Sequence, residues 1–277
     1  MAIKVLKADG LYQDFDVQKL KRSLRRSGAT DEETKEVVKR IEAILYDGIR
    51  TQEIYRHAFT FLREGQKDIA ARYSLRRALF GLGPTGFPFE DFLARLFQTE
   101  GYTTKTRVSL VGKCAEHELD IAAYSESDSF VCEAKFHSRP GIKSDLQVVM
   151  YSYARLLDLK NQKICQQDVC GIKDFKIVTN TKFTNTAEKY ANCVGMSLLS
   201  WNYPEGNNLH DLIQRSGLYP VTVLNNLSQS QKLMLISRGA IVCSDLVERP
   251  QLLRHLHISK KRTESVLAEA ASLCGKK

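Results

Sequence analysis

The chain has 277 residues, 43% apolar and 26% charged, with a net charge of +9, enough for two domains or three small ones and at least one real core. No apolar run approaches the 20 residues of a membrane span and no charged-then-apolar leader follows Met1, so a cytoplasmic protein is expected. The seven cysteines (114, 132, 165, 170, 193, 243 and 274) form no Cys-x-x-Cys pair, and several lie in apolar segments and read as reduced, buried thiols, so neither zinc nor a disulfide is expected.

Residues 1–82 read as one unit of hairpin plus helices. "AIKVLKADGLYQDF" gives a short strand pair turning at Asp9–Gly10, a strong hairpin dipeptide. "DVQKLKRSLRRSG" starts a helix at a capping Asp16 and stops it at Gly28. "TDEETKEVVKRIEAIL" starts the next at Thr30, with Glu33 completing a capping box. "TQEIYRHAFTFLREG" and "QKDIAARYSLRRALFGLG" predict two more helices, and the glycines and proline of "GLGPTGFP" mark a linker.

Residues 86–205 alternate. A helix over 88–99 precedes strand-like runs near 102–110, 117–124 and 129–136. An amphipathic helix over 143–158 follows, then a strand (175–180), a helix (184–193) and a strand (196–201). This αβββαβ order predicts a mixed sheet with helices on both faces, an α/β fold. Residues 217–277 read as all-helical from apolar residues at three- and four-residue spacing.

Charge divides along the same lines. Residues 1–80 carry 17 basic and 12 acidic side chains, residues 81–216 carry 15 and 16, and residues 217–277 carry 9 and 4. Basic flanks around a neutral middle suit a polyanionic partner, and ordinary solvated lysine accounts for them equally well.

The middle segment holds the chemistry. In "HELDIAAYSESDSFVCEAKF" (residues 117–136) the turn "SESD" would place Tyr124 opposite Ser129 and, counting back, Asp120 opposite Glu133. Alternation along a strand puts Glu133 and Lys135 on one face. Two carboxylates at cross-strand distance repel one another, and a hard divalent cation between them, Mg²⁺ or Mn²⁺, would make the pair favourable. Such an ion acidifies bound water and offsets phosphoryl charge, and Lys135 beside it would orient water or stabilise the transition state. The alternative is an edge hairpin with a solvent-facing charged stripe.

These residues and the αβββαβ order resemble the PD-(D/E)xK nuclease superfamily, in particular Mrr-like restriction endonucleases, over residues 86–202. The resemblance implies catalytic roles for Asp120, Glu133 and Lys135, with Asp120 and Glu133 as metal ligands. It further implies that Glu90 in the opening helix acts through water and that Gln147 joins from the helix after the lysine. "HELD" departs from the glycine that usually precedes the aspartate in relatives.

The first segment resembles the ATP-cone of ribonucleotide reductases and their transcriptional repressor, through "VLKADGLYQDFDVQKLKRSL", "YDGIRTQEI" and "AARYSLRR". The resemblance implies an ATP or dATP effector, with Lys7 and Lys19 on phosphates and Gln13, Asp16 and Thr51 lining the pocket. Ala8 stands where the family has arginine, and Lys19 also reads as a plain exposed helix lysine. The tail weakly resembles a helix-hairpin-helix element. "HIS" occupies its glycine turn, and Lys260, Lys261 and Arg262 at the next helix start are candidates for DNA-backbone contact; a packing or oligomerisation bundle fits equally. The expected protein is a metal-dependent DNA endonuclease of three parts (1–82, 86–205, 217–277), a homo-oligomer gated by nucleotide. The rival is a nucleotide-responsive DNA-binding regulator on an inactive nuclease fold.

Overall fold

The computed structural model describes residues 3–160, 162–165 and 171–274. Strand β1 (Lys4–Leu6) pairs antiparallel with β2 (Tyr12–Asp14). Gly10 in the turn between them has φ 83°, the left-handed backbone such a turn needs. Asp16 caps α1 (Val17–Arg26) by accepting the Gln18 and Lys19 N–H groups, and the expected Thr30–Glu33 capping box opens α2 (Asp31–Glu42). A third strand, β3 (Ile49–Arg50), lies parallel to β1 and leads into α3 (Thr51–Gly65). The fourth expected helix is two, α4 (Lys67–Tyr73) and α5 (Leu75–Phe80). At the break the Ser74 hydroxyl donates to the Ala71 carbonyl, a local bond that competes with helix continuation.

The glycine-rich segment after α5 is no free tether. Leu82 is fully buried and joins Ala71, Leu75 and Leu79 in a core shared with the rest of the chain. α6 (Phe87–Thr99) covers one face of a five-stranded sheet, packing Phe89, Phe92 and Phe97 against Ile121, Phe130 and Cys132. That sheet contains β4 (Thr103–Val111), β5 (Glu116–Tyr124) and β6 (Ser129–Lys135), an antiparallel meander. The short β7 (Lys143–Ser144) and α7 (Leu146–Leu159) follow. Then come β8 (Asp174–Thr179), β9 (Lys182–Phe183), α8 (Asn185–Val194) and β10 (Leu198–Leu199). The order is β10-β8-β6-β5-β4, with β8 and β10 parallel to β6, and β7 and β9 form a separate parallel pair. α7 and α8 cover the second face with Val149, Leu159, Ala187 and Ala191 against Ala122, Val131 and Ile177. A mixed sheet with helices on both faces is what the element order predicts.

An additional helix, α9 (Leu209–Ser216), precedes the C-terminal segment of α10 (Gln229–Ser237), α11 (Cys243–Glu248) and α12 (Lys260–Cys274), with 3₁₀ turns at 221–223 and 250–256. Two buried acids tie this segment down. Glu269 accepts from the backbone and side-chain amides of Asn225 and Asn226. Asp245 receives the Ile241 and Val242 N–H groups and the Arg95 guanidinium of α6 at 2.5 Å.

The cysteines need correction. Cys165 is disulfide-bonded where a reduced thiol is expected, and Cys170 lies outside the described residues. Cys132 and Cys243 are buried thiols as expected, whereas Cys114 and Cys193 are exposed. No helix among the described residues is long and apolar enough to cross a membrane.

Candidate functional site

The four-residue turn sets the hairpin register: Tyr124 faces Ser129 and Ile121 faces Cys132. Continuing that register puts Asp120 across from Glu133. Asp120 Oδ2 accepts the Ala134 N–H at 2.6 Å, which pins the carboxylate beside the strand that carries Glu133 and Lys135. Glu133 is buried and bonded at both oxygens. Lys135 Nζ lies 2.5 Å from one, and Arg155 of α7 lies 2.5 Å from the other. Arg155 also donates to the Glu118 carbonyl and lies over the rings of Tyr151 and Phe175.

Electrostatics follow the geometry. Burial, then the Glu133 charge, pushes the Asp120 carboxyl up to about 6, against the Ala134 N–H, Lys135 and Arg155. Glu90, in the first turn of α6, is also buried and raised, first by burial and then by the Asp120 charge. Its Oε2 pairs with Arg107 at 3.2 Å, while Arg107 reaches Asp91 at 2.9 Å. Arg107 has φ 54°, rare for a non-glycine residue. The β4–β5 ladder pairs Thr106 with Ile121 and Val108 with Leu119, skipping Arg107 and Asp120 between them. The strained residue therefore stands directly opposite the acid.

Three acids and three cations thus share one end of the sheet. Asp120, Glu133 and Lys135 come together as expected, and Glu90 enters their field while bonded to Arg107. Gln147 does not reach the acids by any recorded bond. It is exposed in the first turn of α7, lining a shallow depression with Tyr151 and Thr184. The helix engages Glu133 through Arg155, two turns on. Sequence reasoning missed Arg155, yet a signal was there: it is the one basic residue in the apolar helix "LQVVMYSYARLLDL". Arg107 carried none, because its importance lies in backbone conformation.

A second cluster sits on the N-terminal hairpin. Lys7 follows β1, and Thr51, at the start of α3, donates its hydroxyl to the Leu6 carbonyl at 3.1 Å. Gln13 pairs with Val5 in the ladder. Asp16 is committed to capping and lies 3.8 Å from the Lys19 ammonium. At the far end, Lys260 and Lys261 are exposed at the start of α12. Arg262 is engaged by its own chain, with Nε donating to the Asn226 carbonyl at 2.9 Å. His257 takes the left-handed conformation (φ 49°) in the turn where a glycine would be unstrained.

As to metal, no group of three or more His, Cys, Asp or Glu among the described residues is arranged to hold an ion. The donors present are two carboxylates, Asp120 and Glu133. An ion held there would draw on these two carboxylates, with both Glu133 oxygens shared with Lys135 and Arg155, and would complete its shell from water and substrate phosphate.

Comparison with known proteins bears on both ends of the chain. A model of the ATP cone domain matches residues 3–79, and one described as AF1548-like, C-terminal, matches residues 219–274. An uncharacterized protein of Archaeoglobus fulgidus is 36% identical over 184 residues, 66% of this chain and 100% of that one. The crystal structure of AF1548, a protein of unknown function, superposes with a TM-score of 0.56 at 34% identity, covering 69% of this chain and 100% of its own. With a relative this similar spanned over its whole length, the chain belongs to the AF1548-like family and carries an ATP-cone domain at its N-terminus.

Proposed function

We propose that the protein is a divalent-metal-dependent DNA endonuclease whose activity responds to ATP or dATP bound by its ATP cone. The observation that carries the catalytic half is the Asp120 carboxylate, raised to about 6 because it lies buried beside Glu133, with Lys135 on the same strand end. An isolated charge in that setting is costly, and a hard cation between the carboxylates would relieve it. Mg²⁺ or Mn²⁺, when bound, supplies acidified water and neutralises phosphoryl charge.

The chain's own residues do the rest. Asp120 and Glu133 would hold the ion, and Arg155 fixes the rotamer of Glu133. The Lys135 ammonium orients the attacking water or stabilises charge growing on the phosphoryl oxygens. Arg107 opposes the upward shift of the Glu90 carboxyl and so favours its ionised form at the edge of the site. ATP or dATP on the cone gates cleavage through differential affinity for two states, in a homo-oligomer.

A second reading has its own support. Glu133 is already balanced by Lys135 and Arg155, so the cluster can persist without a metal, as a DNA-binding regulator on an inactive fold would require. Incubating supercoiled plasmid with the full chain in Mg²⁺ or in EDTA separates the two. Mg²⁺-dependent nicking supports the enzyme, and DNA binding with no nicking in Mg²⁺ or Mn²⁺, with or without ATP, favours the regulator.

A further inference from the structure

Lys7 and Lys19 are exposed on the cone's hairpin and first helix, and a second part of the chain stands beside them. Gly141, two residues before Lys143, lies against Ala8: a Cβ built on it would stand 3.8 Å from the Ala8 Cβ. This contact brings the loop before β7 onto the hairpin turn that carries Lys7. Lys143 and Lys182 are register partners in the β7–β9 pair, so their side chains leave the same face. Behind them, Trp201 donates its backbone N–H to the Thr181 carbonyl, and the Arg76 guanidinium of α5 lies 5.9 Å from the Trp201 ring centre.

Five cations therefore converge from five places: the hairpin turn, α1, α5, β7 and β9. Among the described residues no ion pair is recorded for Lys7, Arg76, Lys143 or Lys182, and Lys19 has only the capping carboxylate of Asp16 at 3.8 Å. Arg76 Nε is buried with no hydrogen-bond partner. The Lys182 ammonium is pushed toward its neutral form, first by burial and then by Arg76, Lys143, Lys7 and Lys19. Like charges gathered without a counter-charge are costly, and a polyanion of matching size removes that cost. A triphosphate is such a polyanion, and guanidinium and ammonium groups are its usual partners.

We propose that Arg76, Lys143 and Lys182 complete the triphosphate site begun by Lys7 and Lys19, so that bound ATP or dATP clamps the cone's hairpin onto the β7–β9 pair that follows the ends of β6 and β8. This rests on the nucleotide reading above and adds groups from outside the hairpin and first helix. It also supplies the route to the candidate active site. Three residues before Lys182, the Thr179 hydroxyl donates to the Lys135 carbonyl at 2.8 Å. Asn180 exchanges two hydrogen bonds with the His137 backbone. Phosphates that draw Lys182 toward the cone pull on the segment that holds the end of β6.

The test is calorimetric titration of the full chain with ATP and with adenosine. Wild type is compared with Lys143→Ala/Lys182→Ala and with Lys7→Ala/Lys19→Ala. The first double variant is expected to lose at least about tenfold in ATP affinity while its adenosine affinity stays unchanged, as phosphate contacts alone have been removed. Without nucleotide it should melt at or above the wild-type temperature because repulsion has been relieved; if it melts well below, Lys182→Gln, which keeps most of the stem, replaces it in the titration. ATP binding unchanged in Lys143→Ala/Lys182→Ala but lost in Lys7→Ala/Lys19→Ala overturns the clamp and leaves the cone binding by itself. Unchanged ATP binding with weakened duplex-DNA binding in the first variant also overturns it, assigning these lysines to DNA. No ATP binding by wild type removes the nucleotide reading itself, and the clamp with it.

Discussion

Arg155 meets Glu133 at 2.5 Å, one buried side chain against another, and this pair joins α7 to the end of β6. Removing one partner leaves the other buried with a charge it cannot share. Arg155→Ala is therefore expected to cost about 3 kcal/mol in urea unfolding. Since Lys135 still pairs with Glu133, the loss should fall short of complete unfolding, and the added Tm gained from Mg²⁺ should be larger in this variant than in wild type.

Asp120 gives a pH prediction with a definite sign. Its carboxyl titrates near 6 in the folded chain against 3.8 for the unperturbed group, so ionisation favours the unfolded state. The penalty is complete above about pH 6 and absent below about pH 4. In EDTA, Asp120→Asn, which can still accept the Ala134 N–H, should be more stable than wild type by on the order of 2 kcal/mol at pH 8. The gain should vanish at pH 4. Thermal melts across that range check both, and an equal gain at both pH values would mean that ionisation is not the cause.

Arg107 combines backbone strain with two ion pairs, and two substitutions separate them. Both Arg107→Ala and Arg107→Gly remove the bonds to Glu90 and Asp91, but only glycine accepts φ 54° without cost. The glycine variant should be more stable than the alanine variant by about 1 kcal/mol. Equal unfolding midpoints would show the strained backbone to be relaxed in solution.

At the opposite end of the hairpin, Asp158 of α7 receives the Cys114 and Ala115 N–H groups and His117 at 2.8 Å. The His117 bond comes first among the causes holding its carboxyl down at about 2. A depressed carboxyl stabilises the fold above its unfolded pKa, and that contribution is lost as pH falls from about 4 to 2. A Cβ on Gly112 would stand 2.1 Å from Asp158 Oδ2, so Gly112→Ala must displace the carboxylate. It should lower Tm at pH 7, with the deficit shrinking below pH 3, where wild type loses the same bonds.

How much of this was legible in the sequence depends on how local each feature is. The Asp9–Gly10 turn, the Thr30–Glu33 box and the "SESD" turn are set by neighbouring residues, so the hairpins and the Asp120–Glu133 register follow from the sequence alone. β3 was not legible, because two residues, Ile49 and Arg50, become a strand only when β1 lies alongside. The break at Ser74 depends on one side-chain bond inside an otherwise helical pattern. At the site, the acids and Lys135 could be read because strand alternation places them. Gln147 was placed by resemblance and stands exposed, while Arg155 is marked in the sequence only as the lone basic residue of an apolar helix, and its pairing with Glu133 depends on a helix–sheet interface that no local pattern encodes.

The most direct test of the central claim is the single-turnover rate of plasmid cleavage in Mg²⁺ by wild type, Asp120→Ala and Lys135→Ala. The account predicts that each variant loses at least about 100-fold while still binding DNA. Equal cleavage by all three proteins would contradict it.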